Sequence, residues 1–336
     1  MPKNPLRRIA TWAAVGLSAM ALVGCSAAGA DDGSGARSEP SGSAGGAVQT
    51  VKIGIVPTLD LGFLTIGEKQ GFFADQGIKL EITPVDSGPN VITGLVAKQY
   101  DLGYTAYAPP LVAVGSGQDL RLVEHLGGIA PKGENGGIFV RKDSGIKRWR
   151  DLEGAKFGTN APRSFGVLWV QAAIASDGGD PSKLELVPLP FNQIADNVAS
   201  GKLDAGLGLQ PYLAQGLKAH PELTDLGDAA AVSFPPGTPS GGIFTAASTL
   251  QEKPELFAKF KAAFAKAVEY GNAHLDDVRA AGATLSGLSA ADAALIPLQK
   301  VDTAVTAADF EPLIAAMKKY GWVEKDIDID KFLGQS

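Results

Sequence analysis

Ala97-Lys98-Gln99-Tyr100-Asp101-Leu102-Gly103 is answered later in the chain by Ala199-Ser200-Gly201-Lys202-Leu203-Asp204-Ala205-Gly206. Each stretch follows a short helical pattern and precedes a proline-containing helix start, at Pro109-Pro110 and at Pro211. A second echo sets Gly136-Gly137-Ile138-Phe139-Val140 against Gly241-Gly242-Ile243-Phe244-Thr245. Two echoes in consistent order predict two related α/β lobes. The glycine-led strands read as the places where the chain crosses between lobes, with Gly136, Gly137, Gly241 and Gly242 as hinge positions. Lobe 1 is then residues 51–140 plus 241–336 and lobe 2 residues 141–240, with a cleft that closes around a ligand by hinge motion.

The flanking pattern agrees. Val51 to Val56 is a short apolar strand candidate, Phe63 to Lys69 is helical, and Ile78 to Ile82 alternates as a strand does. A helix over Val91 to Ala97, a strand over Leu102 to Tyr104, a helix from Pro110 to Gly115 and a strand over Leu120 to Leu126 follow. Strands alternating with helices predict a largely parallel sheet. The C-terminal part is helical, with Phe257, Phe260, Phe264 and Val268 on one face. Ser289 and Thr306 open near-capping-box starts, and Tyr320-Gly321 is a stop signal for the last helix.

The N-terminus carries export chemistry. Lys3, Arg7 and Arg8 precede an apolar run from Ile9 to Val23, the charge order of a secretory signal peptide. A transmembrane helix needs about 20 residues, more than this run offers. Leu22-Val23-Gly24-Cys25 resembles the bacterial lipobox, and Cys25 is the only cysteine, so residues 1–25 read as a lipoprotein leader and Cys25 as the lipidated residue. Residues 26–50 are rich in Gly, Ala and Ser and read as a flexible tether, with a span of roughly 25–30 Å. The chain carries 30 basic and 36 acidic residues, and the leader holds three of the basic ones and no acidic ones. That acidity argues against nucleic acid as a partner and against polybasic contact with anionic lipid, leaving the lipid anchor as the membrane attachment.

At this point the chain resembles a known group: the periplasmic solute-binding proteins of nitrate, sulfonate and taurine transporters, which include binders of thiamine-pyrimidine precursors. The resembling residues are Val51-Lys52-Ile53-Gly54, Gly71 to Ile78, Ala97 to Gly103, Asp143 to Ile146 with Asp151 to Gly154, and Asp204-Ala205. The resemblance implies the type II periplasmic-binding fold, two α/β lobes joined by two crossover strands. It also implies that binding residues lie on loops between strand ends and helix starts: Thr58-Leu59-Asp60, Ser87-Gly88-Pro89-Asn90, Tyr104 to Ala108, Thr159 to Ser164, and Gln210-Pro211. The implied partners are a small-molecule solute and an ABC permease with its ATPase, the protein itself being a monomer.

Residue chemistry narrows the ligand. Ser87-Gly88-Pro89 and Thr159-Asn160-Ala161-Pro162 precede helices, and helix N-termini present unpaired N–H groups that suit an anion. Every helix needs a start, so the same residues also read as plain caps. Arg163 opposes the macrodipole of its helix, a cost of a few tenths to about 1 kcal/mol. It either pairs with a ligand oxyanion or holds a nearby carboxylate on the surface. Asp60 either complements an anion site, as for a zwitterion, or makes a local turn. Tyr104, Tyr107, Phe165 and Tyr212 either shape an organic pocket or pack the core. His125, His220 and His274 have no metal-ligand spacing, and no nucleophile elbow, Walker loop or dinucleotide fingerprint occurs. The expectation is therefore a binding protein rather than an enzyme, without cofactor or metal. The expected ligand is a sulfonate or other small organic anion, with a pyrimidine-type heterocycle, nitrate or bicarbonate as alternatives. A surface interaction lipoprotein without transport is the reading from another class.

Overall fold

The computed structural model describes residues 48–131 and 135–334. The leader 1–25, Cys25 and the tether as far as residue 47 lie outside the described residues. The chain runs β1 (Gln49–Ile55), α1 (Gly62–Lys69), β2 (Ile78–Pro84), α2 (Gly88–Val96), β3 (Leu102–Ala106), α3 (Ala108–Gly115) and β4 (Leu120–His125). It continues through β5 (Gly137–Arg141), β6 (Lys156–Thr159), α4 (Phe165–Ser176), β7 (Glu185–Pro188), α5 (Phe191–Ala199), β8 (Ala205–Gly208), α6 (Tyr212–Ala219), β9 (Leu223–Asp225) and α7 (Ala229–Ser233). It then enters β10 (Gly241–Ala246), followed by α8 (Ala247–Glu252), α9 (Pro254–Ala273), α10 (Leu275–Leu285), α11 (Ala290–Ala294), α12 (Glu311–Lys319) and α13 (Ile329–Leu333). None of these helices is long and apolar enough to cross a membrane.

Two five-stranded sheets result, with orders β2-β1-β3-β10-β4 and β7-β6-β8-β5-β9. The orders correspond strand for strand, and the two sequence echoes occupy matching places. In each sheet the strand entering from the other half, β10 or β5, pairs antiparallel with its neighbours while the strands beyond are parallel. The first echo has a hydrogen-bond reason. Asp101 accepts from the Lys52 N–H at 3.0 Å, midway along β1, and Asp204 accepts from the Lys156 N–H at 2.9 Å, at the start of β6, so each aspartate ties the coming strand to the one it joins. One position before the tight reversal, Lys98 and Gly201 both adopt positive φ, 55° and 74°. Gly137–Arg141, placed by sequence at the end of lobe 1, pairs in the second sheet.

The segments that pass between the sheets lie just outside the glycine-led strands. Gly128 bridges Pro239, and the ladder continues through Ile129 N–H to Thr238 O at 2.7 Å and Gly237 N–H to Ile129 O at 2.9 Å. Gly127 and Gly237 both hold positive φ, 77° and 86°, where a side chain is strained. By contrast Gly241 and Gly242 sit inside β10, hydrogen-bonded on both sides, and a Cβ on Gly137 would strike the Asp225 carboxylate. Those three glycines make room for packing, whereas Gly136, the fourth glycine expected at a hinge, holds positive φ of 133° in the crossing segment, as do Gly127, Gly227 and Gly237.

Helix α9 lays Phe257, Phe260, Phe264 and Val268 on the core of the first sheet, where Phe260 stacks on Phe73 at 5.5 Å. Helix α4 is apolar on nearly all sides because the second sheet, α7 and α12 enclose it. The tail departs from the expected single stop: after Gly321 the chain adds α13. Phe310, Met317, Trp322 and Phe332 join a core shared with Tyr107 and Leu111 of the first half, and the Trp322 indole N–H donates to Gln171 on α4 at 2.8 Å. The C-terminal segment thus touches β4 of the first sheet and α4 beside the second. The caps expected at Ser289 and Thr306 are present, the latter as a capping box with Asp309.

Two predictions follow from the crossing region. A Cβ on Gly128 would lie 2.5 Å from the Gly237 carbonyl oxygen, so Gly128→Ala forces the ladder apart. The expected loss is about 1–3 kcal/mol, measured by urea denaturation. Just before the ladder, burial raises Glu124 from 4.5 to about 7 and pulls His125 from 6.5 down to about 4. The stability from Glu124 is complete below the unfolded value and is lost as pH rises through the folded one. That from His125 is complete above its unfolded value and is lost as pH falls. The two slopes oppose each other, so Glu124→Gln makes stability rise more steeply than wild type between about pH 5 and pH 6.5, read from urea midpoints.

Candidate functional site

The carboxyl ends of the parallel strands in both sheets open on one cavity of about 470 Å³. Its polar lining comes from the loops that leave those strands. Thr58 and Asp60 follow β1, Gly88 follows β2, Tyr104 and Thr105 end β3, Asn160 and Ser164 follow β6, and Gln210 follows β8. This is the edge at which an open α/β sheet runs out of strand partners and starts its helices. The crossing segments close the back through Gly127, Ile129 and Gly237. A strap, Ile296–Asp302, closes another side. Asn272 clamps the strap by exchanging two 2.8 Å hydrogen bonds with the Val301 backbone, and Arg279 donates to the Ile296 carbonyl.

On the first-sheet side the central feature is a carboxylate. The Tyr104 hydroxyl donates to Asp60 Oδ2 at 2.6 Å. Burial, reinforced by the Asp60 charge, holds the Tyr104 phenol well above its ordinary value of 10.0, so it remains a donor. A Cβ on Gly241 would stand 3.1 Å from that hydroxyl, which gives this glycine a purpose in the site. Asp60 forms no ion pair among the described residues. Lys300 and Asp302, the other charged residues of the lining, are exposed on the strap.

On the second-sheet side the wall is the start of α4. Gly166 lets this helix sit against β8, since a Cβ there would meet Leu207 at 2.3 Å. No side chain caps α4, because the Ser164 hydroxyl is engaged with Thr159 Oγ1 at 3.1 Å; the Val167 N–H donates to the Ser164 carbonyl at 3.1 Å, while the Phe165 and Gly166 N–H groups have no acceptor among the described residues. Several other helix starts are also uncapped, so this alone distinguishes nothing. What distinguishes α4 is Trp169, one turn further on: it is 8% exposed, lines the cavity, and its Nε1 has no partner among the described residues. Asn160 Oδ1 and Gln210 Oε1 are likewise buried in the lining without a partner, while Asn160 Nδ2 donates to the Asp86 carbonyl at 3.2 Å.

Of the residues singled out by sequence, Thr58, Asp60, Tyr104, Asn160, Ser164 and Gln210 come together here. Phe165 also lines it, whereas Tyr212 stacks on Phe191 without lining the cavity itself, and four others do not reach the cavity. Ser87 is buried at the N-cap of α2 without a capping bond, leaving Gly88 to face the space. Thr159 is fully buried behind Ser164. Tyr107 is a core residue, bonded to His125 Nδ1 at 2.8 Å and ringed by Phe244, Phe310 and Phe332. Arg163 turns outward: its guanidinium lies 5.4 Å over the Trp322 ring and reaches the Gly321 carbonyl, so the C-terminal segment is its partner. Sequence reasoning missed Trp169, although it falls four residues after Phe165 on the same helix face, and it missed the strap, which carries no motif.

The NMT1/THI5-like family model matches residues 60–277. A putative aliphatic sulfonates-binding protein of Bacillus subtilis (strain 168) is 27% identical over 237 residues, covering 68% of this chain and 68% of that protein. Bicarbonate-binding protein CmpA of Synechococcus elongatus is 28% identical over 179 residues, 47% of this chain and 40% of that protein. Among solved structures, the periplasmic aliphatic sulphonate binding protein SsuA from Escherichia coli superposes with a TM-score of 0.67 at 21% identity, covering 85% of this chain and 98% of its own. The alkanesulfonate-binding protein SsuA from Xanthomonas axonopodis pv. citri bound to MOPS gives 0.68 at 18% identity, covering 86% and 99%. These likenesses establish the periplasmic-binding-protein fold.

Removing the donor that holds Asp60 tests the first-sheet wall. Tyr104→Phe leaves the carboxylate without its hydrogen bond, and the expected loss of stability is about 1–3 kcal/mol in urea denaturation.

Proposed function

We propose, from the premise that this chain belongs to the NMT1/THI5-like family, that it is the solute-capturing component of an ABC importer and takes a small organic anion into the cavity between its sheets. A sulfonate is the first candidate, given the sulfonate-binding relatives described above, with nitrate, bicarbonate or a pyrimidine-type heterocycle as alternatives. The observation that carries the reading is the start of α4 in the cavity wall, with the unpaired Trp169 Nε1–H beside it. A buried donor without a partner costs about 1–3 kcal/mol, and a solute oxyanion repays it at the site where helix amides already favour negative charge.

The mechanism we infer is closure. The two sheets with their helices act as the lobes, and the ladder of Gly127–Ile129 with Gly237–Ser240 bends, bringing α4 toward the Asp60 side. A solute that touches both walls stabilises the closed form by its differential contacts alone. Export through the leader, anchoring through Cys25 and delivery as a monomer to a permease and its ATPase complete the proposal. If no solute bound, a surface interaction role would replace it.

The test is thermal unfolding against alkanesulfonates, aminosulfonates, nitrate, bicarbonate and pyrimidines. A ligand at a hundred times its dissociation constant stabilises the fold by about 2.7 kcal/mol, a shift of several degrees. A sulfonate-class shift that Trp169→Phe reduces by roughly tenfold in affinity supports the reading, since one hydrogen bond to a charged group is at stake. No shift with any anion overturns it.

A further inference from the structure

Resting on the closure reading, we infer that Lys218 and Asp292 form a latch between the two halves: an ion pair outside the cavity that favours the closed arrangement and so retains the solute without touching it. Lys218 Nζ lies 3.1 Å from Asp292 Oδ1, and among the described residues this is the one ion pair that joins the halves. The other pairs each stay on one side of the crossing segments. Both partners are fixed to their own half. Lys218 stands in the last turn of α6, and a Cβ on Gly216 of that helix would meet Ala195 and Phe139 side-chain atoms at 2.7 Å, so α6 is pressed onto the second half. Asp292 stands on α11, whose Ala293 packs with Leu59, Ala283 and Ile296 in a small core of the first half. Arg279 on α10 donates to the Ala293 carbonyl at 2.8 Å, and the strap that lines the cavity begins just after α11.

The two partners are unequal, and that inequality suits a latch. Asp292 is oriented in advance: its Oδ2 accepts from the Ser289 hydroxyl at 2.8 Å, and the same hydroxyl accepts from the Asp292 N–H at 3.1 Å. The Ser289 hydroxyl, and after it Lys218, holds this carboxyl below its ordinary range, so it is charged. Its side chain is only 19% exposed, whereas that of Lys218 is 71% exposed, so a fixed anion meets a solvated cation on a flexible stem. The Ser289 bond is explained by the start of α11, but that bond does not call for a cation from the other half. An exposed pair adds little to folding. The balance between open and closed forms is more sensitive, because the contact is made or lost as a unit when the halves move. A factor of a few in the pair is then a factor of a few in the closed population, and apparent affinity scales with that population. The Asn160 amide, bonded to the Asp86 carbonyl at 3.2 Å, also spans the halves, but it is neutral and belongs to the cavity wall. Salt therefore acts through Lys218 and Asp292.

The experiment is pulsed electron paramagnetic resonance on the full chain carrying Cys25→Ser, with spin labels at Lys202→Cys and Lys266→Cys, exposed positions on the second and first halves. The distance distribution reads the ratio of near to far arrangements. Lys218→Ala is expected to lower that ratio about two- to fivefold, the range of an exposed ion pair. Lys218→Glu lowers it further, Lys218→Arg keeps it, and Lys218→Glu combined with Asp292→Lys restores it. Raising KCl from about 0.1 M to 1 M shortens the screening length from about 10 Å to 3 Å, which lowers the wild-type ratio and leaves that of Lys218→Ala unchanged. A distribution that ethanesulfonate shifts toward the near form, but that neither the Lys218 variants nor salt shift, overturns the latch and leaves the closure reading intact. A single distance that variants, salt and ethanesulfonate all leave unchanged overturns both. A shift with Lys218→Glu and none with ethanesulfonate supports the latch and bears only on which solute binds. Lys218 is exposed, so its single variants and the salt series decide alone should Asp292→Lys fail to fold.

Discussion

Two segments of chain pass between the sheets, and they are hydrogen-bonded to each other. That pairing, Gly127 to Ile129 against Gly237 to Ser240, fixes which edges of the sheets face one another. Because both sheets are parallel beyond their antiparallel entry strand, the facing edges are carboxyl ends on both sides. Helix starts and loop polar groups therefore gather in one place, and no additional device is needed to build a cleft. The near-contact of Gly128 with the Gly237 carbonyl shows how little room the ladder has, and the positive φ of its two neighbours shows where its compliance lies.

Within that cleft the walls differ in chemistry. The second sheet offers neutral N–H groups from α4 and Trp169, whereas the first offers a carboxylate locked by a phenol. Among the described residues no arginine lines the cavity, and the cation that sequence placed there, Arg163, stacks on Trp322 instead. In the proposed function uncharged donors suffice for an oxyanion, because dipoles fixed in the wall need no reorganisation when the charge arrives.

The C-terminal segment adds a second tie between the halves. Phe310 and Phe332 pack on Tyr107 of the first half, while Trp322 bonds to Gln171 on α4 of the second. The closure proposed above therefore has to carry the tail, which packs on both halves. Glu124 and His125 lie where β4 enters the ladder, and burial favours the neutral form of both, raising Glu124 to about 7 and lowering His125 to about 4.

How much of this was legible in the sequence depends on distance along the chain. Strand and helix alternation, the cap at Ser289 and the capping box at Thr306 are local signals, fixed by hydrogen bonds within a few residues, and the echo that ends in Asp101 and Asp204 was legible because the same strand-joining motif occurs twice. They determined the α/β class, the twofold organisation and the loops from which a site could be built. The tertiary structure alone decided which loop residues face inward. Arg163 and Trp169 belong to the same stretch of chain, yet one faces Trp322 and the other the cavity, because the rotation of α4 is set by Gly166 against Leu207 and by packing from the distant C-terminal segment. The strap and the crossing ladder were invisible for the same reason: their partners, Asn272 for Val301 and Gly237 for Gly128, are far away in sequence, and only folding brings them together.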